Sequence, residues 1–157
     1  MELSNQIAKH LRDVHFGGNW TCSNLQDQLN DVSWQESTEK IDSFNTIAQL
    51  LFHINYFVEA VLGALEKGKL DAHDKFSFDC PRINSESEWQ SLKDKAWEDA
   101  ENLAIHLEQF PENDLNKVFI DEKYGNHFRN FHGLIEHCHY HLGQIVILKQ
   151  VIRNSKA

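Results

Sequence analysis

The chain has 157 residues, a length that suits one domain able to bury a substantial core. Its 24 acidic residues outnumber its 15 basic residues and give a formal charge of −9, which argues against nucleic acid and anionic membrane surfaces as partners. The sequence carries neither a membrane-spanning apolar run nor a signal-peptide pattern, so we expect a cytoplasmic protein that does not contact membranes.

Four helical segments are predicted, near residues 3–16, 43–66, 85–109 and 127–152. The first carries an apolar stripe through Ile7, Leu11 and Val14 and stops at a pair of glycines. A loop with room for a short helical turn follows. The second segment has Ser43 as its predicted N-cap and stops at Gly68.

The third segment opens with Ser85 and Glu88 at the spacing of a capping box and stops at Pro111. The fourth begins after a Gly-Asn pair. No alternating pattern typical of β-strands extends over more than a few residues, so the predicted fold class is all-α. We assign residues 1–153 to a single domain and residues 154–157 to a short polar tail.

The connection between the second and third helices is long enough to constrain the topology. The second helix, at 1.5 Å per residue, is about 35 Å long. Residues 67–84 can extend to about 60 Å and can therefore run back along the whole helix. This crossover permits the second and third helices to be parallel, whereas a short loop would make them antiparallel.

Residues 137–145, with the sequence HCHYHLGQI, carry the main functional signal. His137 and His141 are four residues apart, so on a helix they share one face, where Leu134 and Leu148 also lie. Two imidazoles at this spacing can converge on one metal ion. They can also be core histidines satisfied by hydrogen bonds, because unpartnered nitrogens are costly to bury.

A third histidine, His53, lies on the apolar face of the second predicted helix, at helical spacing from Leu50 and Phe57. A lone histidine there is typical of a core residue with a local hydrogen bond. One interhelical metal site of three neutral imidazoles, with open positions for water or substrate, explains all three core-facing histidines together. His139 points to the opposite side of the last helix and is not expected to be a ligand.

The block from Thr46 to Phe57, followed by His137, His141 and the sequence Leu-Gly-Gln-Ile, resembles the DinB/YfiT-like superfamily of metal-binding bundles. The likeness extends from the first helix to about Lys149. It implies a four-helix bundle with up-down-down-up topology, which the long crossover between helices two and three permits. It also implies a homodimer and one divalent metal ion held by His53, His137 and His141.

The resemblance implies a metal-dependent enzyme without fixing its reaction. Related branches are S-transferases or isomerases that use a low-molecular-weight thiol such as bacillithiol, mycothiol or glutathione, and others are described as metal-dependent hydrolases. We expect a thiol-dependent transferase or a hydrolase of a small-molecule substrate; the alternative is a non-catalytic metal-binding or stress-related interaction protein. Zinc and nickel are the first candidate ions, followed by iron, cobalt and manganese, because all-histidine sites accept several metals.

Residues around the site are assigned by pattern. Gln144, three residues beyond His141, either orients a ligand through a hydrogen bond or packs between helices. Phe57 and Trp89 are expected to line a pocket beside the metal. The two loop tryptophans, Trp20 and Trp34, are expected to supply an apolar dimer interface.

The cysteines and remaining histidines receive no role in the site. Cys22, Cys80 and Cys138 are few and widely spaced, so they predict reduced thiols in a cytosol. Cys138 is expected to fill space in the core and not to bind the metal. His15, at the end of the first predicted helix, is assigned to the surface.

Overall fold

The computed structural model describes residues 2–155, and this range contains α-helices, short 3₁₀-helices and connecting loops but no strand. Met1 of the predicted domain and residues 156–157 of the predicted tail lie outside the described residues. The prediction of an all-α fold is confirmed. The α-helices are α1 (Leu3–Phe16), α2 (Leu25–Leu29), α3 (Trp34–Thr38), α4 (Ile47–Lys67), α5 (Glu86–Glu108) and α6 (His127–Asn154).

The start of α4 differs from the prediction, because the helix begins at Ile47 and Ser43 is not its N-cap. Asp42 adopts a left-handed conformation with φ of 45°, so the chain turns before the helix begins. The Thr46 side chain accepts the backbone N–H of Gln49, and the Gln49 side chain accepts the backbone N–H of Thr46. This capping box satisfies two N–H groups at the helix start and therefore fixes the boundary.

At the start of α5, Ser85 is the N-cap, as predicted, and its hydroxyl accepts the backbone N–H of Glu88 at 3.2 Å. In a capping box the Glu88 carboxylate would in turn accept the backbone N–H of the N-cap residue, Ser85; here this bond is shifted by one residue towards the N-terminus. The Glu88 carboxylate accepts the N–H of Asn84 at 2.6 Å instead of that of Ser85. The carboxylate also lies in the first turn, where the helix dipole favours negative charge.

The connection between α1 and α4 contains two short helices, where the sequence predicted a loop with at most one helical turn. The side chain of Asn24 caps α2 by accepting the N–H of Asp27 at 2.8 Å. Ser33 and Glu36 form a capping box at the start of α3. Both signals are local and visible in the sequence, but helices of five residues carry too little periodicity to be predicted.

The long helices share one core, in which α1 and α4 each pack against both α5 and α6. The apolar side chains of α4, such as Leu51, Ile54 and Val58, are fully buried there. By length and composition α4 could span a membrane, so the prediction that no apolar run approaches that length was wrong. Since 61% of its most apolar window is buried against the rest of the protein, α4 resembles the core helix of a soluble protein.

Residues 67–84 return along α4. The backbone N–H of His73 donates to the Tyr56 hydroxyl at 2.8 Å, and the Cys80 thiol lies 3.8 Å from the carbonyl oxygen of Ala48. From His73 to Cys80 the connection therefore moves from Tyr56 to Ala48, that is, back towards the start of α4. The connection therefore passes over the middle of α4, where His53 lies.

His15 is buried, with 1% of its surface exposed, so its assignment to the surface was wrong. Its Nδ1–H donates to the carbonyl oxygen of Leu11 at 2.8 Å, one turn earlier in α1. This bond satisfies the Nδ1–H and so lets a polar ring be packed in the core. Burial lowers the pKa of His15 to about 4, because the imidazolium form would lose its hydration.

We expect His15 to reduce folding stability as the pH falls from about 6.5 to about 4. In this window the unfolded chain binds a proton on His15 that the folded chain excludes, which costs about 1.4 kcal/mol per pH unit and roughly 3 kcal/mol in all. His15→Asn keeps a donor for the Leu11 carbonyl but does not titrate. Urea unfolding of both proteins across this range should show the shallower pH dependence for the variant; identical profiles would contradict the assignment.

Candidate metal centre

The three histidines predicted as ligands lie together between α4 and α6. The ring centroids of His53 and His137 are 4.8 Å apart, those of His53 and His141 are 4.6 Å apart, and those of His137 and His141 are 4.5 Å apart. One nitrogen from each ring lies within 4.8 Å of the others. The four-residue spacing on α6 stacks two rings on one face, and the packing of α4 against that face adds the third.

Two contacts orient His53, and both come from the crossover connection. Its Nδ1–H donates to the carbonyl oxygen of Ser77 at 3.3 Å. The ring of Phe78 stacks on the imidazole, with centroids 3.8 Å apart and planes 6° from parallel. The proton on Nδ1 leaves Nε2 with a lone pair directed at the other two histidines, the form in which imidazole binds a metal.

His141 is oriented by Gln144, three residues later on α6. The Nδ1–H of His141 donates to Oε1 of Gln144 at 2.6 Å, so Nε2 of this ring also carries a free lone pair. Of the two roles that the sequence left open for Gln144, the structure favours orientation of the histidine. A hydrogen bond of this kind fixes the tautomer and raises the basicity of the ligand nitrogen.

His137 completes the group with fewer constraints. Its Nε2 lies 3.0 Å from Nε2 of His53, and its Nδ1 is buried without a hydrogen-bond partner among the described residues. The ring is held by the edge of Phe57, with centroids 5.0 Å apart. Two imidazole lone pairs at 3.0 Å repel each other unless a proton or a cation lies between them.

This spacing fits a metal ion. Two nitrogens bonded to one tetrahedral zinc ion at about 2.0–2.1 Å are about 3.3–3.4 Å apart, close to the separation of the His53 and His137 nitrogens. A cation shared by the three Nε2 atoms would replace the repulsion between lone pairs by three bonds. The donor set is therefore suited to a divalent ion that accepts imidazole, such as zinc, nickel, iron or cobalt.

The environment keeps these histidines neutral at pH 7. Burial, together with repulsion from a charged His141, lowers the pKa values of His53 and His137 to about 4. Burial also lowers the pKa of His141, and the hydrogen bond to Gln144 opposes this shift. Neutral imidazole is the ligand form, so protons compete weakly with a metal at this site.

Among the described residues, the group contains no acid or thiol in addition to the histidines. Glu136, the acid nearest in sequence, is exposed and pairs with Arg129 and His132. The thiol of Cys138 is fully buried, and burial raises its pKa to about 12, which keeps it protonated and unreactive. A divalent ion held by these three histidines alone would keep open coordination positions.

A cleft reaches one of the three histidines, His137, and only one of the two predicted pocket residues lines it. Phe57 and His137 border an open cleft of about 530 Å³. Trp89 lies elsewhere, fully buried in the core, with its indole N–H donating to the Val32 carbonyl oxygen at 2.8 Å. The prediction for Trp89 was wrong because an aromatic residue on an apolar stripe fits a core position as well as a pocket.

Comparison with known proteins adds nothing to this geometry. No family model, no curated protein and no solved structure matches the chain. The resemblance to the DinB/YfiT-like superfamily therefore stays a prediction that depends on the histidine motifs.

Proposed function

We propose that this protein binds one divalent metal ion through His53, His137 and His141 and uses it in catalysis. The observation that carries the proposal is the convergence of three neutral imidazoles, two of them oriented through Nδ1. A metal ion would bond all three imidazoles at once, whereas a proton between Nε2 of His137 and Nε2 of His53 satisfies only that pair. Zinc or nickel is the proposed ion, with iron, cobalt and manganese as alternatives.

We also propose the up-down-down-up arrangement of a DinB-like four-helix bundle. For α4 and α5, Asn55 contacts Asp99 at 2.7 Å and Glu66 lies 3.8 Å from His106, so residue numbers rise together along both helices. This supports a parallel pair. The return of residues 67–84 along α4 supports the crossover that such a pair requires.

The remaining pairs support the same arrangement. The Ser4 hydroxyl donates to the Phe110 carbonyl oxygen at 2.8 Å, and Arg12 pairs with Glu101, so α1 and α5 run in opposite directions. His53 contacts His141, and Phe57 contacts His137, so α4 and α6 also run in opposite directions. With α1 taken as up, α4 and α5 run down and α6 runs up.

The proposed reaction is transfer of a low-molecular-weight thiol to a small electrophile, with hydrolysis as a second reaction of the same centre. A bound divalent ion acts as a Lewis acid that lets a thiol or a water molecule lose its proton near neutral pH. The chain supplies the orientation of the three rings and a cleft beside His137 that admits a small molecule. The open coordination positions favour a catalytic over a purely structural metal site.

One observation favours a non-catalytic metal-binding or stress-related interaction protein. Within the described residues, no carboxylate or thiol joins the three histidines, so an acid–base partner is missing from the immediate group. A protein that only stores or senses a metal would need nothing more. We retain this as the second candidate function.

A screen of the zinc- and nickel-loaded protein would separate these functions. Glutathione or cysteine is supplied with an aryl halide, and formation of the thioether is followed by absorbance: a sulfur–carbon bond forms, halide leaves and the thiol proton goes to solvent. Ester hydrolysis is assayed in parallel. Turnover lost in His53→Ala would support the enzyme, whereas full metal occupancy without turnover in either assay would support the non-catalytic alternative.

The hydrogen bond between Gln144 and His141 should matter for metal affinity. Gln144→Leu removes the acceptor that holds His141 in the ligand tautomer, so we expect zinc affinity to fall by about 10–100-fold. Gln150→Leu, an exposed position six residues further along α6, is the matched control and should leave affinity unchanged. Competition titration with a chromophoric chelator measures both; equal affinity in the two variants would show that Gln144 is only a packing residue.

We propose that the protein is a cytoplasmic homodimer with no nucleic-acid or membrane partner. Trp34 packs partly against the core, whereas Trp20 is 94% exposed. Exposed apolar side chains on α6, namely Tyr140, Ile147 and Val151, add a larger candidate interface than the loop tryptophans alone. Their spacing of seven and four residues places them on one helix face.

Ile147, which is 63% exposed, should lie near the centre of this interface. A charged side chain there would be desolvated on association, so Ile147→Asp should shift a dimer towards monomer without affecting the fold. Light scattering at micromolar concentration should give about twice the 18.3 kDa chain mass for the native protein. A mass of one chain for the native protein would contradict the proposed dimer.

A further inference from the structure

The cleft beside His137 has an apolar wall and a charged rim. Phe57 and Val61 of α4 and Leu134 of α6 line its wall. Arg129 and Lys123 also line the cleft. A cleft that combines apolar area with a few placed polar groups is the usual form of a small-molecule site.

The charge of this cleft is opposite to that of the chain. The protein carries a formal charge of −9, yet no acidic residue is among those lining the cleft. The nearest carboxylate to Arg129 is Glu136, an exposed side chain at 3.5 Å, and Lys123 lies 3.9 Å from Asp121. Ion pairs this long and exposed are weak, so both cations can exchange them for a ligand anion.

Gly133 makes room for the guanidinium group. A Cβ atom at position 133 would lie 2.5 Å from Nη1 of Arg129, closer than non-bonded atoms approach. Arg129, Gly133 and His137 follow one another at four-residue spacing and share one face of α6. The absence of a side chain at Gly133 therefore leaves Arg129 lying across the helix on the side of His137.

We propose that the cleft binds an organic carboxylate, with its anionic group on Arg129 and its apolar body against Phe57, Val61 and Leu134. The bound molecule would lie beside His137. The inference that the bound carboxylate is a substrate depends on the proposed metal centre. The inference that the cleft binds a carboxylate does not. Arg129 is suited to the role because its planar guanidinium can donate two parallel hydrogen bonds to one carboxylate.

The test compares an acid with its neutral isostere. Binding of 3-phenylpropionate and of 3-phenylpropionamide to the metal-free protein is measured by NMR titration and repeated with zinc-loaded protein. We expect the acid to bind about tenfold more tightly than the amide, the scale of one charge-assisted hydrogen bond. Arg129→Gln should remove this preference and leave amide binding unchanged.

Two further variants separate the effect of where the Arg129 guanidinium lies from the effect of the protein's net charge. Gly133→Ala keeps the arginine but displaces its flexible end, so it should also remove the preference without lowering the unfolding midpoint, since alanine is favoured over glycine inside a helix. Arg82→Gln makes the same change of charge at an exposed residue on a different cavity and should have no effect. Loss of the preference in Gly133→Ala would therefore identify the geometry of Arg129 and not net charge as its cause.

The outcomes distinguish this inference from the proposed metal function. Equal binding of acid and amide, no binding of either, or an unchanged preference in Arg129→Gln would overturn the carboxylate site. If the preference is found in a protein that binds no zinc, the carboxylate site stands and the proposed metal function fails. If zinc binds and the preference is absent, the carboxylate site fails and the proposed metal site stands.

Discussion

Alanine in place of His53, His137 or His141 should remove most of the affinity for zinc. Each substitution deletes one of three protein ligands, so the loss should exceed the roughly 10–100-fold cost of removing an outer-shell partner. The three variants should behave alike, because each leaves two imidazoles facing one ion. Competition titration with a chromophoric chelator, together with elemental analysis of the purified proteins, measures the effect.

His139→Ala is the matched control for this series. His139 lies between the two α6 ligands in sequence, but it borders a different cavity, next to Trp20 and Leu142. Its removal should leave zinc affinity nearly unchanged. Loss of zinc in His139→Ala with retention in His53→Ala would contradict both the helix-face argument and the assignment of the site.

Trp89→Ala should be the most destabilising single substitution among the aromatic residues discussed. The side chain is fully buried, and its indole N–H donates to the Val32 carbonyl oxygen in the loop between α2 and α3. Truncation leaves a large cavity and an unpartnered carbonyl group, for which we expect a loss of about 3–5 kcal/mol in the free energy of unfolding. Urea unfolding followed by circular dichroism, with the slope checked for constancy, measures this loss.

Two variants test the cause of this loss. Trp20→Ala deletes the same side chain at a position that is 94% exposed and should change stability by less than about 0.5 kcal/mol. Trp89→Phe keeps most of the volume and removes the hydrogen bond, so it should cost about 1–3 kcal/mol. A cost below 1 kcal/mol for Trp89→Ala would contradict the core assignment and reopen a role for this residue in the pocket.

The helices and the grouping of the three histidines follow from periodic patterns that are visible in the sequence. The apolar stripe of α1 and the four-residue spacing of His137 and His141 are both consequences of the helical repeat. Placing His53 beside them required the further step that apolar faces of long helices pack together. That step succeeds here because all three histidines lie on core-facing stripes.

The contacts that orient the three histidines could be predicted only in part. Gln144 is local to His141, so helix geometry already allowed its hydrogen bond. Ser77 and Phe78 contact His53 from a connection without periodic structure, and no sequence pattern indicates which loop carbonyl will face a buried ring. His15 was misplaced for a related reason, since its burial depends on one backbone acceptor and not on its own polarity.

X-ray absorption spectroscopy of the zinc-loaded protein tests the central claim most directly. We expect one zinc ion per chain, with three imidazole nitrogens at about 2.0–2.1 Å and the rest of the shell made of light atoms from solvent. The imidazole signal should disappear in the protein that carries alanine at His53, His137 and His141. Zinc bound through sulfur, or an imidazole signal that persists in this triple variant, would contradict the proposed centre.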